Sequence, residues 1–156
     1  MKAKRIGLVA GLLINMVAQA GSVLNTDKGG VALSQYDAVS YFKPGGPKKG
    51  SPRYQATHDG ATYLFENEEN KQAFLKAPKT YAPQFGGWCA YAVATSKSKV
   101  EIDPESYLIQ DGRLLLFYKG FLADTRKKWQ ETKGKDAATF LKEADANWPE
   151  IKDKES

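Results

Sequence analysis

The sequence predicts an α+β fold: a small single domain with two β-hairpins interleaved with short helices. Two strand-like apolar stretches, the first of them alternating, are each interrupted by an Asp-Gly pair, Asp59-Gly60 and Asp111-Gly112. Such a pair supplies the positive φ angles that a two-residue hairpin turn needs. Helix-start signals lie between and after them, Asn67 before Glu68-Glu69 and Asp136 before apolar residues at helical spacing. Three Trp, eight Tyr and seven Phe, all beyond residue 20, supply a core without disulfides.

The N-terminus has the layout of an export signal. Lys2, Lys4 and Arg5 precede an uncharged, mostly apolar run over 6–17, and Ala18-Gln19-Ala20 offers an A-x-A cleavage site. Residues 1–20 are therefore expected to be a signal peptide cleaved after Ala20, which places the mature chain in the periplasm or outside the cell. The run is shorter than the ~20 residues that span a bilayer, so no stable membrane anchor is expected. Lys4-Arg5 is not a twin-arginine pair, and no cysteine follows the run to take a lipid.

Cleavage changes the charge argument. The whole chain carries +5, but the signal holds three of its 23 basic residues and none of its 18 acidic ones, leaving +2. That is too little to draw the chain to a phosphate backbone, so no nucleic-acid partner is expected. Both methionines, Met1 and Met16, leave with the signal.

Element by element, Ser34 with Asp37 resembles a capped start for a short helix carrying Tyr36, Val39, Tyr41 and Phe42. Residues 43–52 form a Pro/Gly-rich loop. The first hairpin alternates Tyr54, Ala56 and His58 before its turn and continues through Thr62-Tyr63-Leu64-Phe65. Asn67 caps a helix holding Phe74 and Leu75, and Pro78 ends it. Residues 79–83 read as a tight turn. Val100-Glu101-Ile102 is expected as a strand leading to Asp103-Pro104, where Asp accepts local backbone bonds. Tyr107-Leu108-Ile109 and 114–118 form the second hairpin. Phe121, Leu122, Thr125 and Trp129 suit one face of a helix ending near Gly134. Asp136 caps the last helix, with Ala137, Phe140, Leu141 and Ala144 inward and Trp148-Pro149 as its stop. The domain is expected over 21–151, followed by a loose charged tail over 152–156. No internal repeat is evident.

Several segments, in order, resemble a known family: 31–42, Asp59 to Phe65, Glu69-Asn70 through Phe74, 81–93 around Gly86-Gly87-Trp88-Cys89, Asp103-Pro104, Asp111-Gly112, and Ala144-Asp145-Ala146-Asn147-Trp148-Pro149. Together they are similar to exported bacterial YHS-domain proteins. The resemblance implies a stand-alone periplasmic domain, and through metal-sensing modules of heavy-metal transporters it implies metal binding. The Tyr-His-Ser triplet is absent here, Tyr63-Leu64-Phe65 standing in that region, and the paired cysteines of metal-handling relatives are reduced to Cys89.

Cys89 is the one cysteine and His58 the one histidine. A helix opening near Trp88 would put Cys89 where free backbone N–H groups stabilise a thiolate. A thiolate is a soft ligand, and copper is the metal it would favour, with His58 as the second donor. Zinc would need further donors such as Asp103 or a second chain. The competing reading has Cys89 as a buried apolar filler in a module that binds a small ligand or an unidentified periplasmic protein. An enzyme is not expected: only Cys89 with His58 could form a nucleophilic pair, and no Walker loop or dinucleotide fingerprint is present.

Overall fold

Both Asp-Gly pairs turn the chain as expected. In the computed structural model, which describes residues 23–155, Asp59 and Gly60 have φ of 49° and 85°, and Asp111 and Gly112 have 52° and 73°. The first hairpin joins β1 (Ser51–His58) to β2 (Ala61–Phe65), and the second joins β3 (Asp103–Gln110) to β4 (Arg113–Phe117). Each is a separate two-stranded antiparallel sheet. The helices between and after them are α1 (Glu68–Lys76), α2 (Pro78–Tyr81), α3 (Ala90–Ser96), α4 (Thr125–Glu131) and α5 (Ala137–Ile151). This is the small α+β domain that the sequence predicts. The expected signal peptide and its cleavage point at Ala20 lie outside the described residues. Among the described residues no helix is long and apolar enough to cross a membrane.

Strand β4 separates two cores. Leu114 and Leu116 pack with Tyr63, Phe65 and Phe74 on one side. Leu115 and Phe117 pack with Val93, Trp129, Phe140 and Ala144 on the other. Successive side chains of a strand point to opposite faces, so a strand buried on both faces needs a continuous apolar run. Leu114-Leu115-Leu116-Phe117 is that run, and all four are essentially inaccessible. Trp129 stacks on Phe140 at 5.3 Å and donates its indole N–H to Gln110 Oε1 at 2.9 Å.

An internal repeat, not evident in the sequence, emerges in the backbone at an offset of 52 residues. Leu33, Ser34 and Gln35 take left-handed φ, and so do Phe85, Gly86 and Gly87. Asp37 N donates to Lys48 O, and Cys89 N donates to Val100 O. In β1/β2 the register runs regularly from His58↔Ala61 to Gln55↔Leu64 and then slips to Ser51↔Phe65. The pairs in β3/β4 run from Gln110↔Arg113 to Tyr107↔Leu116 and slip to Asp103↔Phe117. Within the slips, Arg53 N bonds Ser51 Oγ and Glu105 N bonds Asp103 Oδ1. Few side chains match across the offset, among them Pro52 with Pro104 and Phe65 with Phe117. The halves diverge after the second strand: the cap of α1, Asn67, follows Phe65 by two positions, whereas the cap of α4, Asp124, follows Phe117 by seven. Five extra residues lie there.

Several local expectations are corrected. Ser34 caps nothing; it sits at φ 49° in the left-handed turn, and the Asp37 carboxylate accepts from Val39 N and Ser40 N where the following 3-10 turn, Ser40–Phe42, begins. Pro78 ends α1 but opens α2, because a first helical position loses nothing by lacking an N–H. Residues 100–102 are not a strand; β3 begins at Asp103. Phe121 and Leu122 precede α4 and are fully and nine-tenths exposed, so neither belongs to its inner face. Helix α5 passes through Pro149 and ends at Ile151, whose side chain is buried. Within the tail, Lys152 N and Lys154 N still bond back to Trp148 O and Ile151 O.

Candidate functional site

Cys89 is wholly buried. It is the N-cap residue of α3, yet its side chain makes no capping bond, so the expected contact with free helix N–H groups is not formed. The sulfur instead accepts from Tyr118 N at 3.3 Å and lies 3.4 Å from Thr125 Oγ1. The Thr125 hydroxyl has one hydrogen, which goes to Tyr118 O at 2.8 Å. The remaining contact is therefore S–H donating to the Thr125 oxygen. The thiol is engaged as both donor and acceptor.

The repeat explains this position. Asp37 is the counterpart of Cys89, and Glu66 of Tyr118. Glu66 N donates to Asp37 Oδ2 at 2.9 Å, as Tyr118 N donates to the sulfur. Asp37 is also wholly buried and accepts further bonds from Val39 N, Ser40 N and the Asn70 amide, the last at 2.6 Å. In each half, one buried acceptor ties the exit of the second strand to the segment before the hairpin.

His58 stands in different surroundings. It pairs with Asp59 through Nε2 at 3.2 Å, packs edge-on against Phe74 and remains about one-fifth exposed. The side-chain partners of Cys89 are Tyr118 and Thr125, and those of His58 are Asp59 and Phe74. Asp103 accepts from Glu105 N at 2.9 Å, a local turn bond. Among the described residues no three His, Cys, Asp or Glu side chains converge as a metal cage would require.

His58 instead lines a cleft of about 430 Å³, together with Tyr63, Phe85, Arg113, Trp148 and Lys152. The C-terminal segment builds much of it. Asp145 grips Arg113 with two bonds of 2.6 and 2.9 Å, while Gln84 Oε1 accepts from Arg113 Nε at 3.0 Å. The Asp145 bonds hold the guanidinium pKa above its usual value, against the opposing effect of burial. Two of its five N–H groups are left over. Asn147 donates to the last carbonyls of α3, Val93 O and Ala94 O, both at 3.0 Å, which fixes the adjacent Trp148. Trp148 meets Phe85 edge-on at 6.2 Å. Burial, with Asp59 nearby, pushes the Tyr63 phenol up to about 12. The cleft floor needs Gly86: a Cβ there would lie 2.2 Å from Val23 O. Sequence reasoning named His58 but missed Arg113, Trp148 and Lys152. Asp145 and Trp148 both belong to the run 144–149 on which the family resemblance partly rests.

A smaller cleft of about 210 Å³ is lined by Asn25, Asp27 and Glu101. Its polar groups are committed to one another and to backbone: Asn25 donates to Glu101, and Asp27 accepts from Gly29 N and Val31 N.

No protein-family model, curated protein or solved structure matches this chain.

Proposed function

We propose that this chain, once exported, is a YHS-like binding module that takes a small organic anion with a flat apolar body into the His58–Trp148 cleft. The carrying observation is the combination of an aromatic wall with a pre-set guanidinium. Trp148 offers a ring surface, backed by Phe85 and Tyr63, which are almost buried beneath it, and Arg113 is held by Asp145 and Gln84 with N–H groups to spare. Lys152 lines the same cleft without an ion pair among the described residues and adds positive charge. The volume falls within the range of small-molecule sites. Holding the donor in place before binding lowers the ordering cost of recognition. In this reading Cys89 is an internal bonding group and not a copper ligand.

The test is calorimetric titration of the exported protein with 2-naphthoate and its neutral isostere 2-naphthamide. Binding of the acid in preference to the amide is expected. Lys152→Glu, a surface change that leaves folding intact, should remove most of that preference, and Trp148→Ala should weaken both ligands. Equal binding of acid and amide would overturn the anion class. Absence of binding by either would overturn the cleft as a site for flat aromatic ligands.

A further inference from the structure

The five residues by which the second half of the repeat exceeds the first form a tight, exposed turn. Gly120 N bonds Ala123 O at 2.9 Å and Lys119 bridges Asp124, with Phe121 and Leu122 at the tip. Phe121 is 101% exposed and Leu122 90%, the most exposed large apolar side chains among the described residues. A single exposed apolar residue needs no explanation, but two adjacent ones at the tip of an ordered turn do.

The turn is firmly built. At its base, Thr125 N and Oγ1 both donate to Tyr118 O, and Tyr118 N donates to Cys89. The Tyr118 ring lies against Gly120, where a Cβ would meet its hydroxyl at 2.2 Å. The thiol and threonine thus hold the strand exit from which the tip projects. The first half closes the same strand-to-helix step in two residues, so the fold itself does not require the extra turn.

Charge identifies the surface it suits. Residues 118–129 contain Lys119, Arg126, Lys127 and Lys128 against one acid, Asp124, whose carboxylate caps α4. This segment is net +3, whereas the rest of the chain beyond residue 20 is net −1. Basic residues adjoining an apolar tip in the chain, of which Lys119 and Lys127 are exposed while Lys128 lies over the Tyr91 ring and Arg126 is half-buried, match an anionic lipid surface: the side chains enter the headgroup–acyl boundary and the cations meet phosphates. We infer that Phe121 and Leu122 are a peripheral docking wedge for an anionic membrane surface. It gives reversible association, not a span, and it is independent of the cleft.

The experiment is vesicle sedimentation of the exported protein, its N-terminal mass checked, on phosphatidylcholine alone and on phosphatidylcholine with phosphatidylglycerol. Wild type should partition onto the anionic vesicles and dissociate as salt rises. Phe121→Ser with Leu122→Ser should lower that partition at least ~tenfold. Its melting temperature should stay unchanged, because neither side chain is packed. Lys119→Glu with Lys127→Glu should weaken binding and flatten its salt dependence. A polarity-sensitive dye on Leu122→Cys reads the tip directly, the native thiol being buried, and should shift to the blue on anionic vesicles alone. Unaltered dye emission, equal partition of wild type and the serine variant, or equal affinity for neutral and anionic vesicles would each overturn the inference. So would capture of an envelope protein by a photo-crosslinker at Phe121 in a chain that binds neither vesicle.

Discussion

Cys89 Sγ and Thr125 Oγ1 lie 3.4 Å apart beneath the strand exit, and both bond Tyr118. For the thiol to bind a metal it would have to give up the proton that it donates to Thr125 Oγ1. It would also have to become reachable from a site with no exposure. The geometry thus sets ligation against the packing of the second half of the repeat. Cys89 should accordingly stay unreactive to thiol reagents in the folded chain and react on unfolding. Cys89→Ala should cost about 1–3 kcal/mol, since it strands the Tyr118 N–H and leaves a small void. Competitive titration with monovalent copper should find wild type and Cys89→Ser equally weak. Tight binding that the serine variant loses would reinstate the thiol as a ligand.

Asp37 should matter more to stability. Its carboxylate accepts from three backbone N–H groups and from Asn70, which in turn accepts from Lys43 Nζ at 2.6 Å. Asp37→Ala strands Val39 N, Glu66 N and the Asn70 amide, Ser40 N keeping its bond to Asp37 O, and a loss of at least about 3 kcal/mol is expected by urea unfolding. Asp37→Asn should lose nearly as much, because its NH2 would face either Glu66 N and the Asn70 amide or Val39 N and Ser40 N, donor against donor in both orientations. A variant as stable as wild type would remove Asp37 from its central place in the first half.

What the sequence revealed and what it hid divide by range. The hairpins, Asn67 and Asp136 were legible because their chemistry is local: an Asp-Gly turn or a helix cap is complete within a few residues. Leu114 to Phe117 read correctly as strand, but its burial between two cores depends on helices on both sides. The repeat was hidden because backbone carries it. Left-handed φ at Leu33, Ser34 and Gln35 leaves no composition signature, whereas two glycines ease the same turn at Gly86-Gly87. Asp37 looked like a helix-start residue because Glu66 and Asn70, about thirty positions on, were not seen to return to it. Phe121 and Leu122 misled through spacing: they fit a helical face with Thr125 and Trp129, but the Gly120–Ala123 bond closes a turn before α4 starts. Of the two residues expected as metal ligands, His58 lines the larger cleft and Cys89 lies buried in the second half of the repeat. Arg113 and Trp148 reach the cleft from the second hairpin and the last helix.

Ser106 offers a test in the opposite direction. It is buried in β3 at 1% exposure, and its hydroxyl has no hydrogen-bond partner among the described residues. Desolvating a hydroxyl without compensation is unfavourable, and alanine fits within the space a serine leaves. Ser106→Ala should therefore be neutral or more stable by up to about 1 kcal/mol. Destabilisation well beyond experimental error would mean that the hydroxyl is bonded in solution.

Alkaline stability should depend on Tyr63. Burial, with Asp59 nearby, raises its pKa from 10.0 to about 12, and burial also raises that of Tyr41, whose hydroxyl donates to Pro104 O. A raised phenol pKa means that the folded chain holds the proton more tightly than the unfolded chain. Its contribution is fully present below pH 10, and it declines as pH rises from there toward 12, where the folded phenol itself ionises. Tyr63→Phe keeps the ring packed on Phe74, 4.7 Å away, but has no proton to lose. At pH 8 the variant and wild type should have closely similar urea midpoints. At pH 11 both should have fallen, because Tyr41 still titrates, but wild type should have fallen further. Urea melts at the two pH values measure the difference directly, and parallel losses in the two proteins would show that Tyr63 ionises as easily in the folded chain as in the unfolded one.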